Sequence, residues 1–283
     1  MTSAHPRLSL NQITIKAWSI PELVAACGNR GVQAIALWRH NIAETGLSDT
    51  IRIVADSGLR VSSVCRGGMF PSPTDAGFQE NIEENLRAID EARALDAAAL
   101  IMVCGPRSGL GFPEARAQVR RGIETILPHA IDAGVKLAVE PLHPMMVDDR
   151  SVIVTLGEAN DIAEEFDDPH VGVAVDVYHV FWDPRVHDEI ARAAGRILGF
   201  HVSDWVLPIE GGLTSRGMMG DGTIDLPGLT RAVSAAGFDG DIEIEIMSDD
   251  LWALEPEVLL DRCIDRFDAT IRPAWSAVEA TGS

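Results

Sequence analysis

Four side chains able to bind metal or move protons stand at the ends of apolar runs in the second half of the chain. They are Glu140 in VKLAVEPLHP, Asp176 in VGVAVDVYH, His201 in FHVSDW and Glu245 in EIEIMS. A carboxylate at the tip of a buried run is costly unless something offsets its desolvation. A divalent cation does so, and Asp, Glu and His are its ligands. For Asp176 and His179 alone, a helix-capping Asp and a hydrogen-bonded loop His explain the pattern equally well. Three carboxylates and an imidazole converging at one place would repel one another without a cation. An oxygen-rich set suits Mn²⁺, Mg²⁺ or Co²⁺ better than a structural zinc, which prefers thiolates. The expectation for the set is therefore a metal site.

The runs that carry these residues read as buried parallel strands, apolar and rich in β-branched residues. Strands are predicted at Arg7 to Ile15, Val32 to Trp38, Leu59 to Cys65, Ala98 to Cys104, Val135 to Glu140, Val171 to Val175, Ile197 to Val202 and Asp241 to Met247. Between them fall amphipathic stretches with Pro at starts and Gly near ends. Helices are predicted at Pro21 to Arg30, Ser48 to Ser57, Asp75 to Leu95, Pro113 to Asp132, Leu156 to Phe166, Pro184 to Ala194, Leu226 to Ala236 and Glu255 to Ala269. Pro128 is expected to kink or split the fourth of these. Spread over 283 residues, eight strand–helix steps of about 35 residues each predict a single closed (β/α)₈ TIM barrel, an α/β fold forming one domain over residues 1–283. A doubly wound open sheet would want a glycine-rich turn after the first strand, and NQITIKAWS offers none. In a barrel the active site lies at the C-terminal ends of the strands. Glu140, Asp176, His201 and Glu245 then share one rim.

Net charge narrows the partners. With 43 acidic and 23 basic residues the chain carries −20. Proteins that live on phosphate contacts are basic, so neither nucleic acid nor an anionic membrane is expected as a partner. The start, MTSAHPRLSL, shows no apolar core of signal-peptide length, and no apolar run is long enough to span a bilayer. Cys27, Cys65, Cys104 and Cys263 form no CxxC and read as reduced thiols of a cytoplasmic protein.

The barrel with VEPLHP, VDVYH, HVSDW, the loop SRGMMGDGTIDLPGL and EIEIMS resembles the xylose-isomerase-like superfamily, most closely its sugar phosphate isomerase/epimerase group. That group includes ketose 3-epimerases and inositol-catabolism enzymes. The resemblance covers nearly the whole chain and is strongest from Glu140 to Ser248. It implies one divalent cation held by Glu140, Asp176, His201 and Glu245, with Mn²⁺ first and Mg²⁺, Co²⁺ or Zn²⁺ as other candidates. It implies that His179 and Arg216 contact substrate oxygens, and that Glu140 and Glu245 move protons on opposite faces of the substrate. By family habit it also implies a homo-oligomer, a dimer or tetramer. The activity implied is isomerisation or epimerisation of a sugar or keto-sugar by proton abstraction beside a carbonyl, through a metal-stabilised enediolate.

Other residues are placed around this set. Trp38 and Trp205, with Trp18, Phe70, Phe181 and Trp182, are expected as an aromatic rim on which a sugar face can stack. His143 is expected near the substrate and Asp204 behind the ligands. Glu243, two residues before Glu245 on the same face, is expected to pair with Lys136 or Arg196. The rim bases Arg39, Arg66, Arg107 and Arg216 are few, which favours an unphosphorylated substrate. The pocket wall is assigned to Trp38 to Asn41, Cys65 to Phe70 and Val206 to Gly220.

Three competing readings are weighed. The superfamily's three-zinc apurinic endonucleases need further histidines, yet here the third and fourth strands end in VCRGG and VCGP, and Asp221-Gly222-Thr223 stands where they have Asp-x-His. A lyase or dehydratase performing β-elimination on a 3-keto-sugar, keto-glycoside or keto-inositol would use the same metal site and is the principal alternative. A sugar-binding barrel without catalysis would not need paired glutamates.

Overall fold

Eight parallel strands close into one barrel, each hydrogen-bonded to two neighbours. In chain order they are β1 (His5–Asn11), β2 (Val32–Trp38), β3 (Arg60–Gly68), β4 (Leu100–Val103), β5 (Leu137–Glu140), β6 (Val171–Asp176) and β7 (Ile197–Val202). A two-stranded ribbon, β8 (Asp204–Trp205) with β9 (Arg216–Gly217), stands outside the barrel, and β10 (Ile242–Ile244) is the eighth barrel strand, closing against β1. The computed structural model describes residues 5–279. The predicted (β/α)₈ TIM barrel is thus the observed fold.

The all-apolar strands follow from burial on both faces. In β6 every residue is buried. Residues facing into the barrel below the site include Ala99, Ile101, Ala138 and Ala174, a layer of small side chains and one isoleucine. Their partners on the opposite face join the large cluster beneath the helices. Close packing is visible at Gly122, where an added Cβ would meet the Phe70 ring at 2.2 Å. Phe70 is consequently fully buried under the helix Phe112–Ala133 and is not part of the exposed rim. No described helix is long and apolar enough to cross a membrane.

Several local expectations are corrected. The first strand stops at Asn11, whose side chain accepts from the Ile13 amide and turns the chain into a 3₁₀ helix, Gln12–Ile15. An additional helix, Arg39–Thr45, follows β2 directly and continues through Gly46 into Leu47–Ser57. The segment RGG after Cys65, expected as loop, continues β3 because Gly67 and Gly68 still pair with Met102 and Val103. Pro128 neither splits nor ends Phe112–Ala133. It is exposed, so the carbonyl it leaves without a donor lies on the solvated side. The helix predicted after β6 is two short ones, Val177–Val180 and Val186–Arg192, the first capped by Asp176. The last helix, Pro256–Arg266, runs on through a π turn, Phe267–Ile271, into Arg272–Glu279.

Candidate metal centre and substrate cavity

The register sets the site. Asp176 pairs with His201, and His201 with Glu243, so the ends of β6, β7 and β10 stand level. Glu140 ends β5, and Glu245 lies just beyond β10, its amide donating to the Val202 carbonyl at 3.2 Å. Glu140, Asp176, His201 and Glu245 each offer one ligand atom, all within 4.8 Å of one another. All four are buried. The sequence placed these four together, and the structure brings them together.

The donor atoms face a common point rather than one another. His201 Nδ1 lies 3.0 Å from Glu140 Oε1 and 3.4 Å from Glu245 Oε2. Neither approach has hydrogen-bond geometry, and Glu140 Oε1 and both His201 ring nitrogens are buried without a hydrogen-bond partner. Buried polar atoms are seldom orphaned. Three carboxylate oxygens and one imidazole nitrogen, with such atoms among them, fit a divalent cation.

Asp176 caps a helix and faces the cluster at the same time. Oδ1 accepts from the Tyr178 amide at 2.8 Å and caps the next helix, while Oδ2 faces the cluster. Burial alone would push its carboxyl up, yet Arg216, with His179 and His201, holds it down at about 2. Burial first, then the charges of Glu245 and Asp176, raises Glu140 to about 7 against the pull of His201. For His201 burial opposes the charged form, but Glu243, Glu140 and Glu245 raise its pKa well above the ordinary imidazole range.

Glu243 is the residue that sequence reasoning misjudged, and Asn11 the one it missed. Glu243 sits 3.3 Å from His201 Nε2 and accepts from Ser62 Oγ at 2.8 Å. Lys136 is exposed and Arg196 pairs with Asp167, so neither of the expected partners reaches it. A carboxylate beside the outer nitrogen of a ligating imidazole fixes the ring's orientation. Asn11 Nδ2 lies 3.3 Å from both Glu243 Oε2 and Glu245 Oε1, while its Oδ1 accepts from Trp38 Nε1 at 2.8 Å. For Glu243 the signal was present, since IEIEI over residues 242–246 alternates with period two and puts Glu243 on the face of Glu245; Asn11 was hidden because the first strand was predicted to run on to Ile15.

Arg216 is almost fully buried. Nη1 donates to Asp176 Oδ2 at 2.7 Å, the Glu245 carbonyl at 3.1 Å and Glu245 Oε2 at 3.2 Å. Nη2 lies 3.0 Å from His179 Nε2. His179 Nδ1 accepts from the His143 amide at 3.2 Å, and its Nε2, beside the Arg216 guanidinium, lies 3.7 Å from Asp176 Oδ2. Burial lowers His179 to about 3, so the ring is neutral. His143 packs against Trp182 and Trp205, with centroids at 5.7 and 5.1 Å, and Trp205 also meets Tyr178 and Phe181. Trp38 stands on the other side of the centre through its bond to Asn11.

Asp204 anchors the loop that delivers Arg216. Oδ1 accepts from the amides of Trp205 and Ile224, and Oδ2 from those of Gly220 and Gly222, at 2.8 to 3.1 Å. Asp204→Asn places an amide NH₂ against two of these donors. It is expected to destabilise the protein by roughly 2–3 kcal/mol in chemical denaturation and to expose residues 206–223 to limited proteolysis. An unchanged midpoint with an intact loop would mean that the four contacts are incidental. Asp221, in contrast, pairs with Arg266 at the surface.

Two cavities flank the centre. One of about 640 Å³ is bounded by Trp38, Cys65 and Gly68 among others, the other of about 490 Å³ by Val206, Arg216 and Asp249 among others. Three segments expected as the pocket wall contribute to them.

A (β/α)₈ barrel with a buried Glu–Asp–His–Glu cluster at its C-terminal rim defines a class, and comparison with known proteins places the chain in it. The family model described as Xylose isomerase-like TIM barrel matches residues 21–267, and the chain belongs to that family. A ketose 3-epimerase from Arthrobacter globiformis is 23% identical over 218 residues, covering 75% of this chain and 68% of that protein. The crystal structure of protein SMc04130 from Sinorhizobium meliloti 1021 superposes with a TM-score of 0.91 at 45% identity, covering 94% of this chain and 98% of the other. An IolI protein crystallised with a zinc atom superposes at 0.83 with 18% identity, covering 95% and 99%, which speaks for the fold.

Proposed function

We propose that the protein is a divalent-metal-dependent isomerase or epimerase of a sugar or keto-sugar. The observation that carries the reading is the convergence of Glu140, Asp176, His201 and Glu245, with orphaned donor atoms, at the active rim of this family's barrel. These four residues would hold the cation, with Mn²⁺ as first candidate. Similarity to a ketose 3-epimerase supports the substrate class. The four cysteines are buried free thiols, which supports a cytoplasmic setting.

When bound, the cation supplies positive charge to the substrate oxygen on which negative charge grows as the proton leaves. Glu140 and Glu245 come from non-adjacent strands, β5 and the end of β10, and so approach the substrate from different sides. One carboxylate takes the proton beside the carbonyl and the other returns one to the opposite face. Arg216 and His179 hold substrate hydroxyl oxygens and fix the reacting carbon between the two. His143, Trp38 and Trp205 wall the site and exclude water from it.

Incubating the metal-loaded protein with a panel of ketoses and 3-keto-glycosides in D₂O tests the reading. Deuterium should enter at the carbon next to the carbonyl of one of them, and no exchange with any would defeat the proposal. His179→Ala is expected to lower turnover or substrate affinity about a hundredfold while metal analysis still finds the cation. Loss of the cation in this variant would move His179 into the ligand set.

A further inference from the structure

The cavity of about 640 Å³ beside the cluster is basic in an acidic protein. Arg39, Arg66, Arg87 and Arg150 line it against two carboxylates, Glu84 and Glu91. Both acids are already engaged. Arg39 bonds Glu84 at 2.7 Å and Glu91 at 2.5 Å, and Arg87 bonds Glu84 at 2.6 Å. Among the described residues Arg150 pairs only with Asp149, at 3.7 Å and in contact with solvent. Arg66 forms no hydrogen bond or ion pair among the described residues, although it is half-buried. Burial and the neighbouring cations Arg150 and Arg39 disfavour its charge, with only Cys65 acting the other way.

An unpaired, half-buried guanidinium is unusual in a chain with 43 acids and 23 bases. Arg93, Arg121, Arg231 and Arg262 also lack a carboxylate partner among the described residues, but they are exposed and solvated. Arg66 and Arg150 instead face a common cavity whose volume suits a small molecule. The cavity adjoins the metal centre. Its lining residue Trp38 donates to Asn11 at 2.8 Å, and Asn11 in turn lies 3.3 Å from Glu245 Oε1 of the cluster. One ligand can therefore span both.

We infer that Arg66, assisted by Arg150, binds an oxyanion substituent at the far end of the substrate, a phosphate or a carboxylate. The inference rests on the isomerase or epimerase reading and specifies its substrate as an acidic sugar. A guanidinium matches either group with two parallel hydrogen bonds. The scarcity of rim bases had favoured an uncharged sugar. That count missed Arg150, which the segment after Met146 carries to Arg66, and it included Arg107, which pairs with Asp148 at the surface.

Calorimetric titration of inorganic phosphate into the metal-loaded protein tests the subsite. Affinity should fall about tenfold or more in Arg66→Gln and several-fold in Arg150→Gln, and stay unchanged in Arg93→Gln. Phosphate held by the cation alone would be indifferent to both cavity variants, and that result overturns the inference. A second arm compares deuterium exchange of a ketose, its terminal phosphate and its terminal carboxylic acid. The wild type should prefer one charged form about tenfold or more in kcat/KM, which identifies the anion, and Arg66→Gln should erase the preference. If the neutral ketose exchanged as well as either charged form, the anion subsite would fall and the isomerase reading would stand. If no ketose exchanged while phosphate affinity still depended on Arg66, the subsite would stand and the isomerase reading would fall.

Discussion

Treatment with EDTA is expected to lower turnover by at least about a thousandfold, since a catalytic cation contributes several kcal/mol to the barrier. Mn²⁺ or Co²⁺ should restore it. The expectation comes from the electrostatics of the cluster. Glu140, Asp176 and Glu245 bring three carboxylates into a buried space with one imidazole and the Arg216 guanidinium. Arg216 neutralises Asp176 and one Glu245 oxygen, but Glu140 Oε1 and His201 Nδ1 keep no hydrogen-bond partner. A divalent cation at their common point removes both the repulsion and the orphaned atoms. The same binding must stabilise the fold. At a concentration one hundred times its Kd a ligand adds about 2.7 kcal/mol, so the melting temperature should rise on adding Mn²⁺ to chelated protein. A metal-free preparation with full turnover would remove the basis of the proposed mechanism.

The barrel was legible in the sequence because its signal repeats. Eight apolar runs separated by amphipathic stretches leave few other architectures, and β2, β7 and the helix Leu156–Phe166 begin and end where predicted. The misreadings concern positions where tertiary contact overrides local pattern. Gly67 and Gly68 look like loop residues, but β4 pairs with them. Arg39–Thr45 lacks an apolar stripe long enough to announce a helix, with Ile42 its single buried residue. At the site, strand ends gave the four candidate ligands because termini of buried strands are few and ionisable residues there are rarer still. Side-chain partners were less legible. Glu243 was assigned a basic partner by charge alone, whereas the barrel's curvature brings Ser62, Asn11 and His201 to it. Arg150 is remote in sequence from Arg66 and meets it only through the fold.

Glu140→Gln and Glu245→Gln are each expected to abolish net conversion, with losses of about 10²–10⁴ or more, but by different routes. Glutamine keeps the size and one ligand oxygen and removes the basic carboxylate. In Glu140 one oxygen, Oε1, faces His201; in Glu245 one oxygen is shared with Arg216 and the other with Asn11. Both variants therefore keep enough ligand atoms for metal content to be checked beside activity. A variant lacking the base for a given substrate cannot exchange its proton with solvent. A variant lacking only the acid on the far face can exchange the proton but cannot complete the inversion. In an epimerase the two roles swap with reaction direction, so each single variant should exchange deuterium from one epimer and not from the other. In a β-eliminating lyase one glutamate alone should control exchange, and the other should affect departure of the leaving group. Exchange measured from both epimers, in both variants, thus separates the two reaction classes with the same cation bound. Near wild-type turnover in both variants would require the two-glutamate mechanism to be abandoned.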